Sequence, residues 1–150
     1  MHHPAELAIN QYLEDATSGK STMSEETILQ IGTDVMDAMR RQFGGGKGRD
    51  EFRLRMSNIG KPTCQLWFAK NKPEEALPKP TTFVMNMLLG DIVEAAFKGI
   101  IKEAGYPYED KDNFVSLELG GATIKGSYDI VVDGAMEDVK SASDWSYRNK

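Results

Sequence analysis

The sequence predicts a mixed α/β domain: a central mixed sheet flanked by helices, preceded by extra N-terminal helices. Three observations lead there. Apolar residues recur at helical spacing along the first two thirds of the chain, and the period changes to strand-like alternation near its end. The third is Asp133-Gly134, lying between two short apolar runs as a two-residue hairpin turn requires. Helices first and a strand meander later is the order expected when helices pack on a sheet. With 150 residues, one domain is the expectation, 1–150, with 1–45 a helical extension and 50–143 the core.

The elements follow in order. Residues 4–18 carry weak helical periodicity through Leu7, Ile9, Tyr12 and Leu13, broken by Ser18-Gly19. A second helix is expected over 24–43, with an apolar stripe of Ile28, Leu29, Ile31, Val35, Met36 and Met39, and Thr22 with Glu25 as its capping box. Gly44–Gly48 ends it as a loop. Residues 51–56 alternate at a period of two but suit extended coil equally. Pro62 suits the first turn of a short helix over Thr63–Lys70, and Pro73, Pro78 and Pro80 mark a linker. A strong helix is predicted over 81–104, stopped by Gly105 and Pro107. Phe114–Leu119, Ala122–Val132 and Met136–Ala142 read as consecutive strands.

Composition is that of an ordinary globular protein, 40% hydrophobic and 27% charged. Apolar runs are too short for a bilayer span and the N-terminus is unlike a signal peptide, so a cytoplasmic location away from membranes is expected. The lone cysteine, Cys64, excludes an internal disulfide and is expected to pack within its helix. Net charge is −5, yet nine basic residues from Arg40 to Lys72 stand against Asp50 and Glu51 alone. That segment carries +7 and the remainder −12. A solvated basic face is one reading; Phe52, Trp67 and Phe68 interleaved with the charges make a phosphate-facing surface the other.

The chemistry concentrates between Gly126 and Ser141. Counting outward from an Asp133-Gly134 loop sets Val132 against Ala135, Val131 against Met136, Ile130 against Glu137, Asp129 against Asp138 and Ser127 against Lys140. Directly opposed carboxylates repel, and a divalent cation would remove the repulsion. Hard oxygen donors favour magnesium (Mg2+) or manganese (Mn2+) over zinc. Lys140, on the same face, could position water or stabilise charge developing on a phosphate. The alternative is an exposed hairpin whose polar face meets water. A third acid argues against it: Glu94 sits at the edge of the helical stripe Leu89, Ile92, Val93, Ala96, Phe97, Ile100, one turn after Gly90. Gly90 is expected to allow close backbone approach, and Asp91 to be a surface charge.

At these positions the chain resembles a family. Gly90-x-x-x-Glu94, Gly126-x-x-Asp129 and Asp138-x-Lys140 are similar to the signature of the PD-(D/E)XK nuclease superfamily, nearest the RecB-like and phage lambda-exonuclease-like branch. Arg55-Met-Ser57-Asn-Ile-Gly60-Lys-Pro-Thr-Cys64-Gln-Leu-Trp67 resembles an upstream segment of the same nucleases, so the likeness spans about residues 53–143. It implies a restriction-endonuclease-like core and hydrolysis of DNA phosphodiester bonds by metal-activated water. Glu94, Asp129, Asp138 and the Val139 carbonyl would be metal ligands and Lys140 the catalytic lysine. Arg53, Arg55, Ser57 and Lys61 would hold phosphate, and Ser141 would stand where relatives carry Ser or Thr. Magnesium is the implied cofactor. DNA is the implied partner, with a recombination, repair or replication protein alongside, and a phage source is compatible with this. No iron–sulfur cluster is expected, since only Cys64 is present. Relatives often place a histidine before the helical acid, which this chain lacks. They also continue into a helix bearing Gln and Tyr. Here Ser143-Asp-Trp-Ser-Tyr is followed soon by Lys150, so either the end is compact or that helix lies beyond it.

Exonuclease is favoured over structure-specific endonuclease by the phage likeness, and a non-catalytic nucleic-acid-binding module keeping the fold is the competing class. A nucleotide-hydrolysing P-loop is disfavoured: Gly19-Lys20-Ser21-Thr22 lacks the upstream glycine, position 14 being Glu. Gly44–Gly48 has no Ser or Thr after Lys47. His2 and His3 are expected in a disordered terminus. Met36, Met39 and Met85 are expected in the core, and Trp67 and Phe68 beneath a helix.

Overall fold

The computed structural model describes residues 3–44, 52–110 and 114–140. Four helices come first: α1 (Pro4–Thr17), α2 (Glu25–Phe43), α3 (Thr63–Asn71) and α4 (Thr81–Glu103). Four strands follow: β1 (Phe114–Leu119), β2 (Ala122–Ser127), β3 (Ile130–Val132) and β4 (Ala135–Glu137). The mixed α/β composition matches the sequence reading, and the helix boundaries agree to within two residues.

The sheet does not match. Among the described residues there is no central mixed sheet, only two separate antiparallel pairs, β1–β2 and β3–β4. Each strand finds its partner across its own turn, so the hairpins satisfy themselves locally. Other segments contribute single bridges only: Arg55 beside Lys125 in parallel, and Glu109 against Val131. The predicted strand 122–132 is broken at Tyr128-Asp129, where the chain leaves one hairpin for the other. The predicted last strand ends at Glu137, and its Ser141 and Ala142 lie outside the described residues.

Capping explains the helix starts. His3 is ordered: its Nδ1 accepts the Ala5 N–H at 3.2 Å and Pro4 opens α1. Its Nε2 also lies 3.6 Å from Asp133, which ties the helix to the hairpin turn. Ser24, rather than Thr22, caps α2 by accepting the Thr27 N–H. Gly105, at φ +69°, ends α4 in the left-handed region that glycine tolerates best.

Helices α2 and α4 pack antiparallel, their opposite ends tied together. Lys102 pairs with Glu26 at 2.7 Å, and Arg41 approaches Asp91 to 3.4 Å. The face of α2 that packs carries small residues, with Thr27 1% exposed and Ala38 fully buried. Of the predicted stripe, Ile31 and Val35 are half-buried, whereas Ile28, Leu29, Met36 and Met39 are exposed, as are Met85 and Leu89. Gly99 is the close-approach glycine, a β-carbon there clashing with the Ile31 side chain, whereas nothing lies within 4 Å of one at Gly90. Trp67, Phe68 and Cys64 are exposed rather than packed, because α3 meets chiefly the turn at Pro73–Glu75.

Glu103 closes the α2–α4 pair. It accepts from the Ser24 hydroxyl at 2.6 Å, the Ser24 N–H at 3.2 Å and the Thr27 hydroxyl. These bonds, the Ser24 hydroxyl foremost, hold its pKa below the usual carboxylate value. The stabilisation is therefore present above the unfolded carboxylate range and lost as pH falls through the folded pKa. Glu103→Gln is expected to melt lower than wild type at pH 7, with the gap closing toward pH 3. Thermal unfolding at both pH values checks this.

The buried core joins α1, α4 and the second hairpin through Ala5, Ile101, Ile130 and Val132, with Ile9, Phe97, Tyr106 and Tyr108 packed around them. Tyr106 also donates to Asp133 at 2.6 Å. No helix among the described residues is long and apolar enough to cross a membrane.

Candidate functional site

The β3–β4 turn is what the residues dictate. Asp133 at φ +52° and Gly134 at φ +78° form the two positive-φ positions of a type I′ turn. The register is the counted one for three pairs: Val132 with Ala135, Val131 with Met136, Ile130 with Glu137. Past them the ladder ends. The Asp129 N–H still donates to the Glu137 carbonyl at 3.1 Å, but its carboxylate Oδ2 takes the Val139 N–H at 2.6 Å. A side chain thus replaces the next backbone rung. Asp129 still meets Asp138, as a side-chain hydrogen-bonded neighbour beyond the ladder. Ser127 does not face Lys140; it pairs with Phe114 in the other hairpin.

Burial sets the direction of these groups. Ile130 and Val132 are sunk in the core at 1% and 6% exposure, and strand alternation sends Asp129 the other way. On α4, Glu94 precedes Phe97 and Ile101 by three and seven positions, so it shares the face that meets the hairpin. The structure brings Glu94 and Asp138 within electrostatic reach of Asp129, and Lys140 within reach of all three acids.

Their protonation follows. Burial raises the Asp129 pKa, the nearby Glu94 charge and the bond to Asp138 adding to it against the opposing Val139 N–H. The Asp138 pKa is lowered, chiefly by its hydrogen bond to Lys140 at 2.6 Å. The two carboxyls are close enough that the charge on one resists ionisation of the other. The Lys140 pKa is raised by Asp138 first, with Asp129 and Glu94 adding to it.

One residue of this group was missed in the sequence. Lys98 pairs with Glu94 at 2.7 Å, and its side chain is 17% exposed. The signal was present, since an acid four residues before a lysine on a helix is a favourable pair. Asp91, expected to be a surface charge, is partly buried, and its Oδ2 is enclosed without a hydrogen bond although Arg41 lies 3.4 Å away. A cavity of about 250 Å³ between α2 and α4 is lined by Asp91, Glu94, Lys98 and Tyr108, but not by Asp129 or Asp138.

With both outer acids held by lysines, no group of three His, Cys, Asp or Glu side chains among the described residues is arranged to hold a metal ion. By type the donors suit a hard cation, although their arrangement here is not that of a metal site. Two carboxyls in hydrogen-bond contact, a third within Coulombic range and the adjoining Val139 carbonyl are all oxygen donors.

Arg53, Arg55, Ser57 and Lys61 lie together on the extended stretch and 3-10 turn (Met56–Asn58) beside β2, all exposed. The Arg53 carbonyl accepts from Asn58 at 3.3 Å, and Lys61 reaches Asn58 at 3.4 Å. Gly126 permits this approach: a β-carbon there would meet Met56 Cγ at 2.5 Å and Met56 Cβ at 3.2 Å. Gly126→Val is expected to cost about 1–3 kcal/mol through this overpacking, read from urea unfolding. Ser141 lies outside the described residues.

Compared with family models, characterised proteins and solved structures, the chain matches none. The assignment of chemistry therefore rests on the residues themselves.

Proposed function

We propose that the chain is a magnesium-dependent deoxyribonuclease of the PD-(D/E)XK kind, hydrolysing phosphodiester bonds, with exonuclease action favoured by the lambda-exonuclease-like motif spacing. The observation that carries the reading is Asp129 beside Asp138 at the end of the hairpin, its carboxylate held by the Val139 N–H, with Glu94 and Lys140 within Coulombic range. Carboxylates this close repel unless cations neutralise them, a part that Lys98 and Lys140 play here and a divalent cation could take over. Glu94, Asp129, Asp138 and the Val139 carbonyl would hold Mg2+ or Mn2+. When bound, such an ion lowers the pKa of water and neutralises phosphate charge. The Val139 N–H keeps Asp129 oriented. Lys140, released from Asp138, faces the phosphate charge that grows during attack. Lys98 is the counter-ion that Glu94 must leave.

The test is digestion of linear and circular DNA with magnesium and with EDTA. Loss of linear DNA alone supports exonuclease action, and cutting of circles supports an endonuclease. A second reading, a nucleic-acid-binding module without catalysis, is favoured by the lysine pairs that already satisfy Glu94 and Asp138. DNA binding without digestion under Mg2+ or Mn2+ would establish it.

A further inference from the structure

A second pocket, of about 360 Å³, opens on the other hairpin. Its walls include Arg53, Lys70 and Lys125, with Phe52, Leu54 and Ala122 supplying apolar surface and no carboxylate among the lining residues. The three cations come from separate elements: the extended stretch before the 3-10 turn, the last turn of α3 and the middle of β2. The Lys125 N–H to Leu54 carbonyl bond, at 3.1 Å, fastens two of these elements together.

The pairing of charges sets this pocket apart from most of the described surface. At least seven other described lysines and arginines sit in ion pairs. Arg53, Lys70 and Lys125 are in none among the described residues, and Glu118, the nearest acid in the ladder, accepts from the Thr123 hydroxyl. Three positive charges with no ion-pair partner among the described residues, around an apolar floor on a protein of net charge −5, make a focused anion site. Aromatic surface adjoins it. Phe52 is a wall, and Trp67, 53% exposed, stands one helical turn before Lys70 on the same face of α3. Cations that track phosphates beside aromatic faces that stack on bases are the composition of a single-strand binding surface.

We propose that Arg53, Lys70 and Lys125 bind the phosphodiester backbone of a single nucleic-acid strand, with Phe52 and Trp67 as stacking faces. This rests on the nucleic-acid part of the proposed function and not on its metal chemistry. The test is fluorescence anisotropy of a labelled 20-nucleotide single strand with the full chain in EDTA, across a salt series. Each lost phosphate contact lowers the salt slope by about 0.7, so Lys70→Gln weakens binding about 5-fold at 0.1 M salt. The triple replacement Arg53→Gln, Lys70→Gln, Lys125→Gln weakens it roughly 100-fold on the same basis. Lys70→Gln alone, at an exposed helix end, keeps the test valid if the triple variant unfolds. Unchanged affinity and slope in Lys70→Gln overturn the proposal, as does competition by inorganic phosphate at concentrations that match the strand's affinity, which marks a small-anion site. An acidic peptide displacing the strand equally well overturns it too. Binding through this pocket with no cleavage under magnesium would sink the nuclease reading alone; cleavage with an unaltered triple variant would sink this inference alone.

Discussion

Replacing Ile101 by alanine is expected to cost about 2–5 kcal/mol, among the largest losses for a single truncation of the described residues. Ile101 is fully buried, and it is the point at which α4 meets both α1 and the β3–β4 hairpin through Ala5, Ile130 and Val132. The cost has two parts: the transfer free energy of the deleted methyl groups, and a cavity that three separately anchored elements cannot close. Ile101→Val leaves most of the volume in place and should cost about 0.5–1.5 kcal/mol. Leu77→Ala, at a site 87% exposed, should stay within about 0.5 kcal/mol. The measurement is the urea midpoint at constant slope. A loss below 0.5 kcal/mol for Ile101→Ala would mean that the hairpin is not anchored as described. The consequence reaches the site, because Ile130 and Val132 fix the strand that carries Asp129. A loosened hairpin would blunt the candidate site without touching any of its polar groups.

What was legible in the sequence was local. The hairpin register followed from two residues, since Asp133-Gly134 both need positive φ and only one pairing is compatible with such a turn. Helix ends followed from Gly19, Pro62 and Gly105 within a residue or two. Packing was less legible, because periodicity weighs large apolar side chains while α2 and α4 approach through small ones. Thr27, Ala38 and Gly99 let the helices close, leaving Ile28, Leu29 and Met36 outside. For the same reason Gly90 was credited with a role that belongs to Gly99. The sheet was misjudged on connectivity: strands of suitable composition were read as one ladder, although three-residue strands with tight turns complete their bonds within a hairpin. At the site, Asp129 was placed correctly beside Asp138, yet the contact is made beyond the ladder's end. Only the structure shows the Val139 N–H substituting for a backbone rung. Lys125 was invisible as a binding residue because its companions, Arg53 and Lys70, are far from it in sequence.

Asp138→Ala is expected to lower magnesium-dependent DNA digestion by at least about 100-fold. Loss of a partner one shell out from a metal commonly costs 10- to 100-fold, and a direct ligand should cost no less. Asp138 is the cleaner probe of the two aspartates. Its only ion pair among the described residues is with Lys140, both side chains more than half exposed, so the fold should be little affected by its removal. Asp129 also accepts the Val139 N–H, and Asp129→Ala would strand that donor at a cost of about 1–3 kcal/mol. The decisive contrast is with Lys98. Removing Asp138 takes away a ligand, whereas Lys98→Met takes away the cation that competes for Glu94. Manganese affinity, followed by calorimetry, should therefore fall in Asp138→Ala and rise about 2- to 5-fold in Lys98→Met, the range that a partly exposed ion pair supports. A shift of the same sign in both variants would point to a general effect on folding. Digestion by Asp138→Ala at the wild-type rate would remove this hairpin from the chemistry altogether. Opposite signs at the two positions would have one physical source, a carboxylate cluster whose counter-ions are lysines and in which the proposed divalent cation would replace them.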